Sequence, residues 1–209
     1  MISAREAIAR LRDGNRRFVA DQSATPALSS QTRRAALVAG QAPFAIVLGC
    51  SDSRVPAELV FDQGFGDLFV IRVAGNVVAP SQVGSVEFAA ERFGTRLVVV
   101  MGHSQCGAVL ATLEELLGRT TTASRNLRSI VDRVRPSVEP LLADRLDKDP
   151  DAFMADAIRA NVQTSVNHLR HGSELLEQLI LNDGLLVVGA EYSLETGVVT
   201  VFDGVPEAR

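Results

Sequence analysis

Four short apolar runs constrain this chain more than any other feature. Phe44–Gly49 (FAIVLG), Leu68–Val73 (LFVIRV), Leu97–Met101 (LVVVM) and Leu185–Ala190 (LLVVGA) are rich in Val and almost free of polar residues. Runs of this length without alternation read as strands buried on both faces, the condition of a parallel sheet covered by helices. The tail GVVTVF at 197–202 follows the turn signal Glu195-Thr196-Gly197 and reads as an edge strand. Helical patterns lie between these runs, at 81–93, 106–117, 123–143 and 151–182, with Pro136, Pro140 and Pro150 cutting the last two. Upstream, 3–21 reads as an amphipathic helix weakened near Gly14, and 29–39 as a second helix stopped by Gly40 and Pro43. Alternating β and α units predict a single α/β domain over 1–209, a sheet of about four parallel strands plus a C-terminal edge strand, flanked by helices. Residues 1–40 form its N-terminal helical arm and 41–209 its core.

Composition then removes whole classes of function. The net charge is −4, Trp is absent and Tyr192 is the single tyrosine, so neither a basic surface nor a base-stacking platform is on offer to nucleic acid. No apolar run approaches the roughly 18 residues of a membrane span. The first residues lack the apolar stretch of a secretory signal. A cytoplasmic, soluble protein without nucleic-acid or membrane partners is the expectation.

The chemistry concentrates on few residues. Cys50 directly follows one strand and His103 another, and in open α/β sheets ligands bind at the carboxyl ends of the strands. Cys106 opens the next helical pattern, where the helix N-terminus favours thiolate. Two thiolates and one imidazole suit zinc, and three protein ligands leave the fourth position of a catalytic site open. Asp52 and Arg54, in CSDSR, add a carboxylate and a guanidinium able to hold it by a bidentate pair. The bland alternatives are two cysteines acting as small buried hydrophobes, a turn and surface ion pair at 52–54, a disulfide, or a redox role without a CxxC motif. His168 and His171 read as solvated, and no phosphate-binding glycine motif is present.

On CSDSR at 50–54 and HSQCG at 103–107 the chain resembles the β-class carbonic anhydrases. The likeness extends through 55–78, GSVEFA at 84–89 and GAEYSLETGVVTVF at 189–202, and is weakest over 1–35 and 120–180. It implies reversible hydration of carbon dioxide to bicarbonate and a proton, by attack of zinc-bound hydroxide. One zinc per subunit would be held by Cys50, His103 and Cys106, with Asp52 and Arg54 as the catalytic dyad. Gln41 would hydrogen-bond substrate, Phe69 and Phe88 would line the pocket, and Gly107 would keep the metal's approach open. The resemblance also implies a homodimer, or a tetramer of paired dimers. In it the N-terminal helix packs on the partner subunit, and the glutamine and aromatics serve the second subunit's site.

Two departures bear on regulation. Position 88 is Phe where many members carry Tyr, and Val47 stands where the subgroup with a noncatalytic bicarbonate pocket usually carries Trp. The resemblance therefore implies the subgroup whose zinc keeps its water at neutral pH. Gly49 is also compatible with a closed form in which Asp52 releases Arg54 and takes the metal's fourth position at low pH. Rival functions on the same scaffold are hydrolysis of carbon disulfide or carbonyl sulfide, and zinc or partner binding without catalysis.

Overall fold

In a computed structural model describing residues 2–24, 30–122, 124–145 and 149–205, the apolar runs form one five-stranded sheet. Its strands are β1 (Ala45–Gly49), β2 (Leu68–Arg72), β3 (Leu97–His103), β4 (Leu186–Tyr192) and β5 (Val199–Asp203), in the order β2-β1-β3-β4-β5. The first four are parallel, and β5 runs antiparallel along β4. All residues of β1 and β3 are buried, as their unbroken apolar sequences require. Successive connections leave β1 towards β2 and β3 towards β4, so the strand order reverses between β1 and β3. That switch point is where an open parallel sheet leaves a crevice at its carboxyl edge.

Three apolar clusters surround this sheet. On one face Val47, Val99, Met101 and Val188 meet α1 (Ala4–Val19) and the short α3 (Ala57–Val60). On the other, Ile46, Leu48, Val98 and Val100 meet α4 (Pro80–Arg92), α7 (Pro150–His171) and α8 (Glu174–Asn182). A third cluster gathers α5 (Gly107–Leu116), α6 (Arg125–Arg145) and α7 around Cys50 and Cys106 at the carboxyl edge. A short α2 (Gln31–Ala36) lies within the arm, and Ser29 of the predicted helix lies outside the described residues.

Several expectations are corrected. The first helix runs through Gly14 unbroken, because that glycine marks a close approach: a Cβ there would stand 1.8 Å from the Phe61 carbonyl oxygen. The same helix packs on its own chain's sheet. Its Ala4, Ala7, Ile8 and Leu11 are buried there. Asn15 ties it down further, donating to the Val60 and Gly197 carbonyls and accepting from the Val199 N–H. Pro136 and Pro140 do not cut α6, which continues through both. A proline in a helix interior costs about 3 kcal/mol. Burial of Val131, Val134 and Val138 along one face of α6 opposes that cost. Pro150 instead starts α7 as its first residue, and the 151–182 pattern divides at Gly172–Ser173, where the Ser173 hydroxyl caps α8.

Candidate metal centre

Cys50 leaves β1 at its carboxyl end and His103 is the last residue of the neighbouring β3. The register pairs Gly49 with Met101, so the two side chains reach the same edge. Cys106 is the N-cap residue of α5. The loop between them turns tightly enough to require a left-handed Gln105, at φ +57°. The two sulfurs and an imidazole nitrogen all lie within 4.8 Å of one another, and all three residues are buried.

The hydrogen bonds specify what this cluster is for. His103 Nδ1 lies 2.9 Å from the Ser104 carbonyl oxygen, which can only accept, so Nδ1 carries the proton and Nε2 presents a lone pair. Nε2 is buried and has no hydrogen-bond partner among the described residues. A buried imidazole nitrogen without a partner is costly unless a cation occupies the position it faces. Cys50 Sγ accepts from the Gly75 N–H at 3.4 Å. The Cys106 thiol pushes Cys50 down from the ordinary thiol value by hydrogen-bonding to its sulfur, and Cys106 is pushed up in return. Two buried sulfurs sharing one proton are a pair that a dication would let ionise together. The soft donor set and the unpartnered Nε2 both fit zinc.

Asp52 stands beside the cluster rather than within it. Arg54 grips its carboxylate with Nε to Oδ1 at 2.9 Å and Nη2 to Oδ2 at 2.8 Å, while the Arg54 backbone N–H adds a third bond at 2.9 Å. These bonds hold Asp52 well below the usual carboxylate range, against its partial burial. Its Oδ2 lies 3.9 Å from His103 Nε2, on the edge of the space that a fourth ligand would share.

Residues that the sequence reading passed over hold this geometry. Arg72 donates to the carbonyls of Cys50 and Asp52, at 3.0 and 2.6 Å, and so fixes the CSDSR turn. Glu195 accepts from Ser104, Gln105 and Ser193 and ties the ligand loop to the β4–β5 turn. Asn161 of α7 donates to the Gly75 carbonyl at 2.8 Å. Asn161 left a signal in the sequence, a polar residue in the same turns of helix as Ala157, Ile158 and Val162, all buried.

The remaining predicted pocket residues lie elsewhere in the chain. Gln41 is exposed at the amino end of β1, separated from Cys50 by roughly 16 Å of strand. Phe69 pairs with Ile46 near that same end and clusters with Phe88 and Phe93, ring centres 5.6–6.2 Å apart. Phe88 is 53% exposed. Gly107 does lie at the centre, next to Cys106, and a Cβ on it would meet nothing within 4 Å. His168 and His171 are both exposed, as expected, and His168 borders a cleft of about 700 Å³ between α4, α6 and α7.

A Cys₂His cluster at the switch point of a doubly wound sheet, flanked by an aspartate clamped to arginine, is a group that could hold one metal ion. Comparison with known proteins gives the particular family. The family model described as carbonic anhydrase matches residues 45–199. Carbonic anhydrase 2 of Mycobacterium tuberculosis is 39% identical over 193 residues, 92% of this chain and 90% of its own length. The carbonic anhydrase of Mycolicibacterium smegmatis is 40% identical over 190 residues, 90% and 88% of the two chains. Among solved structures, the β-carbonic anhydrase CcaA superposes with a TM-score of 0.74 at 25% identity, covering 98% of this chain and 94% of its own. A tetrameric β-carbonic anhydrase from Sordaria macrospora superposes at 0.72 and 25% identity, over 81% and 85%. The chain belongs to the β class of the carbonic anhydrase family, enzymes that hydrate carbon dioxide. Among its described residues no helix is long and apolar enough to cross a membrane.

Proposed function

We propose that this chain interconverts carbon dioxide and bicarbonate at a single zinc held by Cys50, His103 and Cys106, with Asp52 kept off the metal by Arg54. The observation that carries this reading is the bidentate Arg54–Asp52 pair beside an unpartnered His103 Nε2. A zinc ion bound there supplies Lewis acidity, which makes water nucleophilic near neutral pH. Because both thiolates offset its charge, the chain must contribute orientation as well. Asp52 stays ionised through the neutral range, so an oxygen of its carboxylate can accept a hydrogen bond from the attacking water and aim a lone pair at the substrate carbon. Arg54 occupies both carboxylate oxygens from one side and so fixes the direction in which the remaining lone pairs point. Burial of the Cys50, His103 and Cys106 side chains would exclude bulk water from behind a metal held there.

Gln41, Phe69 and Phe88 meet a substrate only if a second copy brings them to this edge, so the same reading makes the working unit at least a dimer. The tetrameric Sordaria relative supports self-association.

Stopped-flow hydration of carbon dioxide, on protein of verified zinc content between about pH 6.5 and 9, tests the reading. Fast hydration that rises with pH is expected. Zinc-loaded protein that is inert to carbon dioxide but turns over carbonyl sulfide would replace this reading with the sulfur-substrate one.

A further inference from the structure

We propose that Asn161 is a positioning residue for the Cys50 ligand, acting through the peptide of Gly75. Gly75 sits where the chain passes over the metal centre in a left-handed conformation, φ +70° and ψ +19°, and its N–H is aimed at Cys50 Sγ. A side chain would be strained there: besides the positive φ, a Cβ would stand 3.0 Å from the Ala108 Cβ, tighter than an ordinary contact. Glycine is also the residue least able to hold one conformation by itself. The clamp comes from α7. Asn161, 1% exposed, donates from Nδ2 to the Gly75 carbonyl at 2.8 Å, and one helical turn later Ser165 donates to the Asn76 carbonyl at 3.0 Å. These two bonds fix the peptides that follow Gly75 and leave its N–H facing the sulfur.

A hydrogen bond donated to a ligating sulfur stabilises its negative charge and fixes the direction of its lone pairs, and outer partners of metal ligands generally orient the ligand and tune the metal. Ser165 fixes the neighbouring peptide but does not touch Gly75, so Asn161 is the member of the clamp that acts on Cys50.

The inference rests on the zinc reading above, so the test measures metal binding as well as turnover. Zinc affinity is determined by chelator competition for the wild-type protein, Asn161→Ala, Asn161→Asp and Ser165→Ala, together with melting temperature and the sulfur-to-metal charge-transfer band of the cobalt(II) forms. Asn161→Asp keeps the side-chain volume and stands in for the alanine variant should that variant fail to fold. Loss of an outer partner typically weakens metal binding ten- to a hundredfold, and that loss is expected for the Asn161 variants, with the cobalt band moved to longer wavelength. Ser165→Ala is expected to stay within about threefold of wild type, as its bond lies one residue further from the sulfur. A folded Asn161 variant with wild-type zinc affinity and cobalt spectrum would overturn the proposal, as would equal losses in the Asn161 and Ser165 variants. Wild-type protein that takes up no zinc would overturn the functional reading itself, a result recognisable before any variant is made.

Discussion

The two ends of the sheet are built to different standards. At the carboxyl end side-chain hydrogen bonds hold the ligand loops: Arg72 on two carbonyls, Asn161 on Gly75, Glu195 on three side chains, Arg54 on Asp52. At the amino end Gln41 is exposed and Phe88 shows half its surface to solvent. The difference separates two tasks. Holding a metal requires donor atoms fixed to fractions of an ångström, which one chain can achieve by packing. Surrounding a small apolar substrate requires a concave wall, and on the proposed reading Gln41 and Phe88 contribute to one only when a second copy is present.

The largest effect that would break this contrast is at the centre. Cys106→Ala should abolish zinc retention and bring hydration to the uncatalysed rate, read by metal analysis and stopped flow. Substantial activity in that variant would mean that the buried cluster is not the reaction centre. Asp52→Asn should retain zinc and lose about 10²- to 10⁴-fold in turnover, the range expected for loss of a positioned proton acceptor. An unchanged rate would reduce the dyad to a surface ion pair.

The amino end is tested by mixing subunits. Gln41→Ala alone should lower kcat/KM about tenfold, a loss of roughly 1.4 kcal/mol, the size of one hydrogen bond to substrate. Mixed dimers of Gln41→Ala with the inactive Asp52→Asn should then recover one complete site, because each subunit supplies what the other's site lacks. No recovery would place Gln41 outside the partner's pocket.

Smaller effects sharpen the place of the arm. Gly14→Ala should destabilise by about 1–3 kcal/mol in chemical denaturation, since its Cβ strikes the Phe61 carbonyl. An arm lying elsewhere would instead gain up to about 1 kcal/mol from the better helix former. Phe88→Tyr should change stability by less than about 0.5 kcal/mol, its ring being exposed at the sheet edge.

The contrast also explains what could be read in the sequence. The buried strands and the metal centre were legible because their residues are few, chemically distinctive and placed by strand ends: Cys50 after β1, His103 ending β3, Cys106 opening α5. Strand ends fix position in space with little ambiguity. Gly14 and the prolines of α6 misled because local propensity was outweighed by packing, by Phe61 in one case and by the valine face of α6 in the other. Arg72, Asn161 and Glu195 were not singled out because each acts on backbone or loop atoms of residues distant in sequence, a relation without any local pattern.

On the proposed function the metal has three protein ligands and Asp52 stays outside them. Zinc-edge X-ray absorption on the zinc-loaded wild type and on Asp52→Asn, both at neutral pH, tests this most directly. The expected shell is the same in both: two sulfurs at about 2.3 Å and two lighter atoms at about 2.0–2.1 Å. A shell that changes when Asp52 is replaced, or one holding fewer than two sulfurs, would contradict it.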